Sequence, residues 1–267
     1  MKGKIALSAL LIVLMVPLGA HAWVNLTPFG PSGAAAPGPL VKYVPADLPY
    51  DVDPAKTALF IIDPQKVYSA PLTLDPAELA DGKSPLNCDQ YSSAIANIEQ
   101  LATACKNAGI PIFLIRHVYE ADGSNCGRLC DFDPLGSLGF PKAWNLWRRD
   151  LIFSELDVPQ SILDNATYYA EKSIYSSFTL PVAAALKWKK IDTVIITGFM
   201  TQYCSTTATR HGHDLGFKMI YVSDANDGPQ VEVLLGGPDE NAAMSLWLGI
   251  PVADVTSTSE LITRIGE

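Results

Sequence analysis

Residues 57–63 have the sequence TALFIID, a run of apolar side chains that ends at the acidic residue Asp63. A strand that is buried on both faces shows such a continuous run instead of alternating apolar and polar residues. Similar runs occur at 111–115 (PIFLI), 193–198 (TVIITG) and 218–222 (KMIYV). These runs predict strands of a parallel sheet that is covered on both faces.

Helical segments separate the predicted strands. Apolar side chains recur at every third or fourth position in the first of them: Tyr91, Ile95, Ile98, Ala102 and Cys105. Further helices are predicted at 181–190, 206–215 and 239–248, before a last short strand near 250–255. Strands that alternate with helices are joined by right-handed crossovers. We therefore predict one α/β domain at 57–267, with three layers, α/β/α, around a central, mainly parallel sheet.

Residues 1–22, MKGKIALSALLIVLMVPLGAHA, have the composition of a secretory signal peptide. Lysines precede an apolar run, and Ala-His-Ala forms a small-residue cleavage site. The apolar run has about a dozen residues, whereas a bilayer core requires roughly 20. We expect cleavage near Trp23 and a secreted or periplasmic protein without a membrane association. Residues 23–56 are rich in Pro, Gly and Ala, which predicts an arm over the domain surface.

The charge of the chain argues against nucleic acid as a partner. It has 28 acidic and 19 basic side chains and a net charge of −9. A nucleic-acid-binding protein instead presents a basic face to the phosphates. The sequence also lacks a G-x-G-x-x-G after the first strand and a GK[ST] loop, which disfavours nucleotide binding.

Ligands of open parallel sheets bind beyond the carboxyl ends of the strands. The polar groups expected there are Asp63, His117, the turn 199–204 and Asp224. Cys204 is the candidate nucleophile, because it is expected to open a helix, where a thiol has a lowered pKa. The free N–H groups at that position could also hold an oxyanion. The alternative is a small cysteine buried in the core.

Histidine offers few candidates for chemistry. His211 and His213 fall in one predicted helix, where residues two positions apart diverge around the axis. We expect exposed helix residues there instead of a metal-binding pair. His117 either lines a site or forms a structural hydrogen bond.

Three motifs occur in order along the chain: TALFIIDPQ at 57–65, EKSIYSSF at 171–178 and ITGFMTQYCSTTATRHGHDLGFKMIYVSDA at 196–225. Taken alone, Asp63 could be an ordinary strand-end or helix-capping residue, and Lys172 a solvated lysine. Together the motifs resemble the isochorismatase-like cysteine hydrolase superfamily over roughly residues 57–255. That superfamily includes nicotinamidases, N-carbamoylsarcosine amidases, ureide and biuret hydrolases and isochorismatases.

The resemblance implies a catalytic set of Asp63, Lys172 and Cys204. It also implies an oxyanion hole formed by the backbone N–H groups of Met200 and Cys204, and a cis peptide bond before Met200. In the implied mechanism Asp63 is the general base, Lys172 is its electrostatic partner and Cys204 forms a thioester.

Departures from family members narrow the expected reaction. No Asp-x-His motif follows the first strand, so a metal-dependent nicotinamidase is disfavoured and we expect no metal and no cofactor. Isochorismatases cleave a vinyl ether and usually lack this cysteine, so Cys204 favours C–N cleavage in a small amide, ureide or carbamoyl compound. Asp-Pro-Gln at 63–65 resembles the Asp-x-Gln of isochorismatases, which leaves an ether hydrolase as an alternative. A non-catalytic secreted binding protein is another, and the resemblance also allows a homo-oligomer.

Several side chains are candidates for substrate contacts at the strand ends. They are Gln65, Tyr68, His117, Tyr175 and Tyr203, with Trp144 as a weaker candidate from the loop-rich stretch 119–165. Core packing is the alternative for each aromatic residue.

The five cysteines are an odd number, which suggests pairs and a remainder in an oxidising compartment. Cys126 and Cys130 could form a small disulfide within their loop, although Cys88 could also reach this loop. Cys105 is expected to be a core thiol. It cannot pair with Cys88, because a continuous helix would separate them by roughly 25 Å. Cys204 has to remain free.

Overall fold

The computed structural model describes residues 48–131, 139–229, 240–249 and 252–266. The predicted signal peptide at 1–22 and most of the predicted arm at 23–56 lie outside these residues. All the described residues fall in one compact unit. No helix in these ranges combines the length and the apolar character needed to span a membrane.

The described fold is built on one six-stranded sheet. Its strands are β1 (Thr57–Ile62), β2 (Ile112–His117), β3 (Tyr168–Lys172), β4 (Thr193–Phe199), β5 (Lys218–Asp227) and β6 (Asp254–Thr256). They lie in the order β3-β2-β1-β4-β5-β6, and every neighbouring pair is parallel. The predicted parallel sheet is therefore confirmed.

Helices cover both faces of this sheet. They are α1 (Lys66–Ser69), α2 (Tyr91–Ala108), α3 (Gln160–Asn165), α4 (Leu180–Trp188), α5 (Thr206–Asp214), α6 (Glu240–Leu248) and α7 (Thr258–Gly266). Helices α2, α3 and α7 contribute to the core on one face, and α4, α5 and α6 contribute to the core on the other. This arrangement confirms the predicted three layers.

The alternation of side chains along β1 explains its continuous apolar sequence. Leu59 and Ile61 pack in the core that contains α2, whereas Phe60 and Ile62 pack in the opposite core. Successive side chains of a strand point to opposite faces, so a strand with two buried faces must be apolar at every position. All six residues of Thr57–Ile62 are buried.

The strand order places a crevice beside β1. The chain runs from β1 outward to β2 and β3, and then returns to place β4 on the other side of β1. Loops leave the carboxyl ends of β1 and β4 in opposite directions at such a reversal, which opens a ligand-binding crevice. The groups that follow these two strands are therefore the first candidates for a site.

The loop-rich stretch 119–165 contains the only disulfide of the described residues. Cys126 and Cys130 are bonded, with their Cα atoms 5.4 Å apart, as one of the sequence alternatives predicts. Cys88, Cys105 and Cys204 are free and buried. Cys88 therefore does not pair with this loop.

Candidate active site

Three side chains from distant parts of the sequence meet at the carboxyl ends of the strands. Asp63 directly follows β1, Lys172 ends β3, and Cys204 lies in a π-helical turn, Thr201–Ser205, after β4. The Lys172 ammonium donates to Asp63 Oδ2 at 2.7 Å and lies 3.2 Å from Cys204 Sγ. All three residues are almost inaccessible, with exposed fractions of 0%, 4% and 3% in chain order. A buried ammonium thus bridges a carboxylate and a thiol.

The backbone around these residues is tightly constrained. Asp63 has a positive φ of 49°, and its N–H donates to the carbonyl oxygen of Ile115 at 2.8 Å. On the neighbouring strand β4, Gly198 pairs with Ile62 and has a φ of 116°. A Cβ at Gly198 would overlap the carbonyl oxygen of Ile62, so only glycine lets β1 and β4 approach here.

The segment between β4 and α5 differs in part from the expected helix start. The peptide bond between Phe199 and Met200 is cis, as the family resemblance implies. Helix α5 begins at Thr206, and the π-helical turn precedes it. Cys204 therefore sits in this turn and does not open a regular α-helix, which corrects the prediction from sequence.

His117 is a fourth member of the cluster. Its Nδ1 atom lies 3.1 Å from Lys172 Nζ and 3.9 Å from Cys204 Sγ. An ammonium can only donate, so His117 Nδ1 accepts and the proton is on Nε2. Burial, followed by the charge of Lys172, holds the pKa of His117 well below its ordinary value. The ring is therefore neutral, and its Nε2 atom has no hydrogen-bond partner among the described residues.

Burial determines the resting protonation of Cys204. It raises the pKa of the Cys204 thiol, and the attraction of Lys172 offsets only part of this effect. The lowered pKa expected from a helix N-terminus is therefore wrong, because desolvation outweighs the favourable charge. Burial also raises the pKa of Asp63 against the opposing influence of Lys172. The site thus holds a protonated thiol beside a carboxyl group that binds protons more tightly than usual.

The pKa of Lys172 shows how the ammonium survives burial. Desolvation, the largest influence, lowers this pKa, but the charges of Asp63 and Cys204 with their hydrogen bonds together raise it above its ordinary value. Lys172 therefore remains a cation among buried acceptors. The donor atoms of Asp63, His117 and Cys204 lie within 4.8 Å of one another, so they are also the group that could hold a metal ion.

Gln65 binds the backbone beside the site. Its Nε2 atom donates to the carbonyl oxygens of His117 at 2.9 Å and Ser154 at 2.7 Å. Its Oε1 atom accepts from the His117 N–H at 3.0 Å, and the residue is fully buried. The side chain thus fixes the end of β2, and with it the backbone of His117. The substrate contact of Gln65 stays a prediction.

Tyr68 is buried to the same degree. Its exposed fraction is 1%, and its ring packs 5.8 Å from Phe199 and 6.3 Å from Trp147, measured between centroids. Its ring therefore packs in the core, whereas a substrate contact by its hydroxyl stays a prediction.

Tyr175 and Tyr203 form a half-buried pair, with ring centroids 5.3 Å apart. Burial, followed by the neighbouring Tyr203 and Cys204, raises the pKa of Tyr175 to about 12. Trp144 is half-buried against Tyr119, with 6.2 Å between ring centroids. Substrate contacts by these three aromatic residues stay predictions.

The sequence of the chain is similar to a family of known proteins. Its sequence matches the isochorismatase domain family over residues 57–234, a segment that contains β1 to β5. The chain belongs to the isochorismatase family.

Relatives and solved structures agree with this isochorismatase-family assignment. Ureidoacrylate amidohydrolase RutB of Methylobacterium radiotolerans is 26% identical over 230 residues, which cover 76% of this chain and 83% of that protein. A cysteine hydrolase of Pseudomonas syringae pv. phaseolicola has a TM-score of 0.63 and 23% identity, covering 81% of this chain and 95% of that chain. A nicotinamidase/pyrazinamidase of Bacillus subtilis has a TM-score of 0.55 and 20% identity, covering 76% of this chain and 100% of that chain. The two structures show that the fold is shared.

Other predicted groups lie elsewhere in this isochorismatase-family fold. Asp224 accepts from the N–H and hydroxyl of Thr258, both at 2.8 Å, so it caps α7 and lies outside the cluster. His213 is exposed as expected, whereas His211 is half-buried and its Nδ1 atom lies 2.7 Å from Ser176 Oγ.

Sequence reasoning missed one contact of Lys172. Lys172 Nζ also donates to the carbonyl oxygen of Ile174 at 3.2 Å. A backbone acceptor leaves no signal in residue types, so no sequence pattern could reveal it.

Proposed function

We propose that this isochorismatase-family protein is a cysteine hydrolase that cleaves a C–N bond of a small amide, ureide or carbamoyl compound. The observation that carries the proposal is the buried Lys172 ammonium, in contact with both Asp63 and Cys204. The names of its relatives, a ureidoacrylate amidohydrolase and a nicotinamidase, support the class of substrate.

Charge conservation makes the first step feasible in a buried site. At rest the proton is on Cys204 and the negative charge is on Asp63. Transfer of the proton to Asp63 moves this charge to sulfur without changing the net charge of the cluster. Because Lys172 touches both groups, it stabilises the negative charge before and after the transfer. The raised pKa of Asp63 favours its role as the base.

The turn that carries Cys204 also supplies groups for the acyl transfer that follows. The thiolate attacks the carbonyl carbon, and the proposed oxyanion hole is formed by the N–H groups of Met200 and Cys204. Met200 has an extended backbone at the start of the turn, with φ −98° and ψ 150°. The protonated Asp63 gives its proton to the leaving nitrogen. An amine or ammonia then departs, and the acyl group remains on Cys204 as a thioester. Asp63 then accepts a proton from water, whose attack releases the acid and restores the thiol.

A thiol in this setting favours acyl transfer over the alternatives. Cleavage of a vinyl ether needs no nucleophilic thiol, and a binding protein needs no buried base and cation beside one. The reaction requires no metal, and the proposed partner is a small molecule.

Ammonia release from a panel of carboxamides, ureides and carbamoyl amino acids tests the proposal. We expect Cys204→Ala to lower the rate by about a thousandfold or more, because the thioester cannot form. Cys105→Ala removes another buried thiol, in the core outside the cluster, and should keep the activity of any folded protein. Wild-type turnover that persists in Cys204→Ala would contradict the proposed nucleophile. If the wild type and Cys204→Ala bind a compound of the panel equally well and neither releases ammonia, the binding-protein alternative would be favoured.

A further inference from the structure

The Lys172 ammonium occupies the position of a cation within a set of metal-ligand atoms. It lies 2.7 Å from a carboxylate oxygen of Asp63, 3.1 Å from an imidazole nitrogen of His117 and 3.2 Å from the sulfur of Cys204. Oxygen, nitrogen and sulfur donors are the ligands that zinc uses in proteins. The lysine thus holds together three groups that could otherwise surround a metal ion.

We propose that Asp63, His117 and Cys204 form an inhibitory binding site for a zinc-like divalent cation, which competes with the ammonium of Lys172 for the same ligands. The site is distinct from a cofactor site, because binding there removes the nucleophile from the reaction. The inhibitory consequence rests on the proposed cysteine hydrolase function, whereas the binding itself does not.

The distances between the ligands fit such an ion after small movements. His117 Nδ1 and Cys204 Sγ are 3.9 Å apart. A tetrahedral zinc ion with usual bond lengths needs roughly 3.6 Å between a nitrogen and a sulfur ligand. The full set of donor atoms lies within 4.8 Å, so the remaining closure is about 1 Å.

One unused acceptor atom points to the same conclusion. Asp63 Oδ1 is buried and has no hydrogen-bond partner among the described residues. Buried polar atoms are normally paired, so Asp63 has acceptor capacity that the resting protein does not use. A cation that enters the cluster can therefore use Asp63 Oδ1 as a ligand once the ammonium of Lys172 has moved away.

Charge makes Lys172 the barrier to metal binding. Zinc binding converts the Cys204 thiol to a zinc-bound thiolate and releases one proton to solvent. The ammonium about 3 Å from the ligands repels the arriving cation, so it has to move away. Removal of this positive charge should turn a weak metal-binding site into a strong one.

Co²⁺ is a spectroscopic substitute for Zn²⁺ that tests binding without turnover. We expect Lys172→Met to bind Co²⁺ about a hundredfold more tightly than the wild type, with a charge-transfer band from thiolate sulfur. The further change Cys204→Ser should abolish this band. His213→Ala is the matched control, because it removes an exposed histidine outside the cluster and should change neither affinity nor band.

The outcomes test the metal site separately from the proposed hydrolase function. Equal metal affinity in wild type and Lys172→Met, or a band that survives Cys204→Ser, would overturn the competition. Zn²⁺ should also raise the melting temperature of Lys172→Met, which keeps the test valid if this variant is destabilised without metal. Metal binding at Cys204 in a protein that releases no ammonia would support the site while the proposed function fails. Ammonia release with no metal effect in any variant would do the reverse.

Discussion

Lys172 has more neighbours than protons to donate. Asp63 Oδ2, His117 Nδ1, Cys204 Sγ and the Ile174 carbonyl oxygen all lie within 3.2 Å of its Nζ atom. An ammonium has three N–H groups, so one neighbour is not an acceptor at any moment. A protonated Cys204 does not need an N–H donor from Lys172, but a thiolate does. Formation of the thiolate therefore has to redirect one N–H of Lys172.

Single residues also show what sequence can predict about a site. Three motifs in a fixed order predict Asp63, Lys172 and Cys204, and these side chains meet in one cluster. The position of Gln65 after β1 indicates that it lies beside the site, but a sequence does not show which backbone groups its amide will reach. The pKa of Cys204 was predicted in the wrong direction, since desolvation depends on the complete fold.

Asp227 provides a pH-dependent prediction outside the cluster. It accepts from the N–H of Gln90, where α2 begins, at 3.1 Å. Burial, with a smaller contribution from the charge of Asp89, raises its pKa to about 6 against the opposing hydrogen bonds from Gly228 and Asn241. The folded protein thus binds this proton more tightly than the unfolded chain, so stability is lost as the pH rises from about 4 to about 6.

Asp227→Asn should remove that loss. We expect the difference in unfolding free energy between wild type and variant to change by up to about 1.4 kcal/mol per pH unit in this window. Urea unfolding of both proteins across the window measures it. A difference that stays constant with pH would show that Asp227 titrates normally.

At the level of secondary structure, the sequence predicts the strands with two buried faces but not the edge strand β3 or the last helix, α7. The strands β1, β2, β4 and β5 have long apolar runs, whereas β3 is an edge strand with the burial pattern of a half-exposed segment. Short alternating segments give weak signals. The sequence patterns also do not predict helix α7. Strand β3 carries Lys172 into the site, so the motif at 171–178 identifies a residue whose strand the periodicity does not show.

Gly198 tests how closely β1 and β4 must approach. We expect Gly198→Ala to lower the unfolding free energy by about 3 kcal/mol or more, because a Cβ overlaps the Ile62 backbone and φ is unfavourable. Gly109→Ala is the control: it also has a positive φ, of 78°, but a Cβ there meets nothing within 4 Å. That change should cost about 1–2 kcal/mol. Equal losses measured by urea unfolding would argue against a steric requirement at Gly198.

For the chain as a whole, the central prediction of a three-layer parallel fold was right, but its strand order could not be derived. Hydrophobic runs report burial and do not specify which strands are neighbours. The pairing of β1 with β4 follows from long-range packing. This pairing brings Asp63 and Cys204 to the same crevice.

Export remains a proposal that concerns the entire molecule. We propose that residues 1–22 direct secretion and are removed; the disulfide between Cys126 and Cys130 supports an oxidising destination. Expression in a bacterial host should give an exported protein whose mass corresponds to a start near Trp23. The paired change Leu11→Arg and Leu14→Arg interrupts the apolar run and should leave the leader attached. An intact leader on the wild-type protein would contradict export.

The strand order also has a consequence for how the protein acquires activity. Ile62 and Gly198 are neighbours in the sheet although 136 positions separate them in the sequence. Contacts between such distant segments carry a large loop-closure cost and slow the folding of a chain. Asp63, Lys172 and Cys204 come from three different strand ends, so no fragment with only local structure contains the site. Regain of catalysis during refolding would therefore report completion of the central sheet.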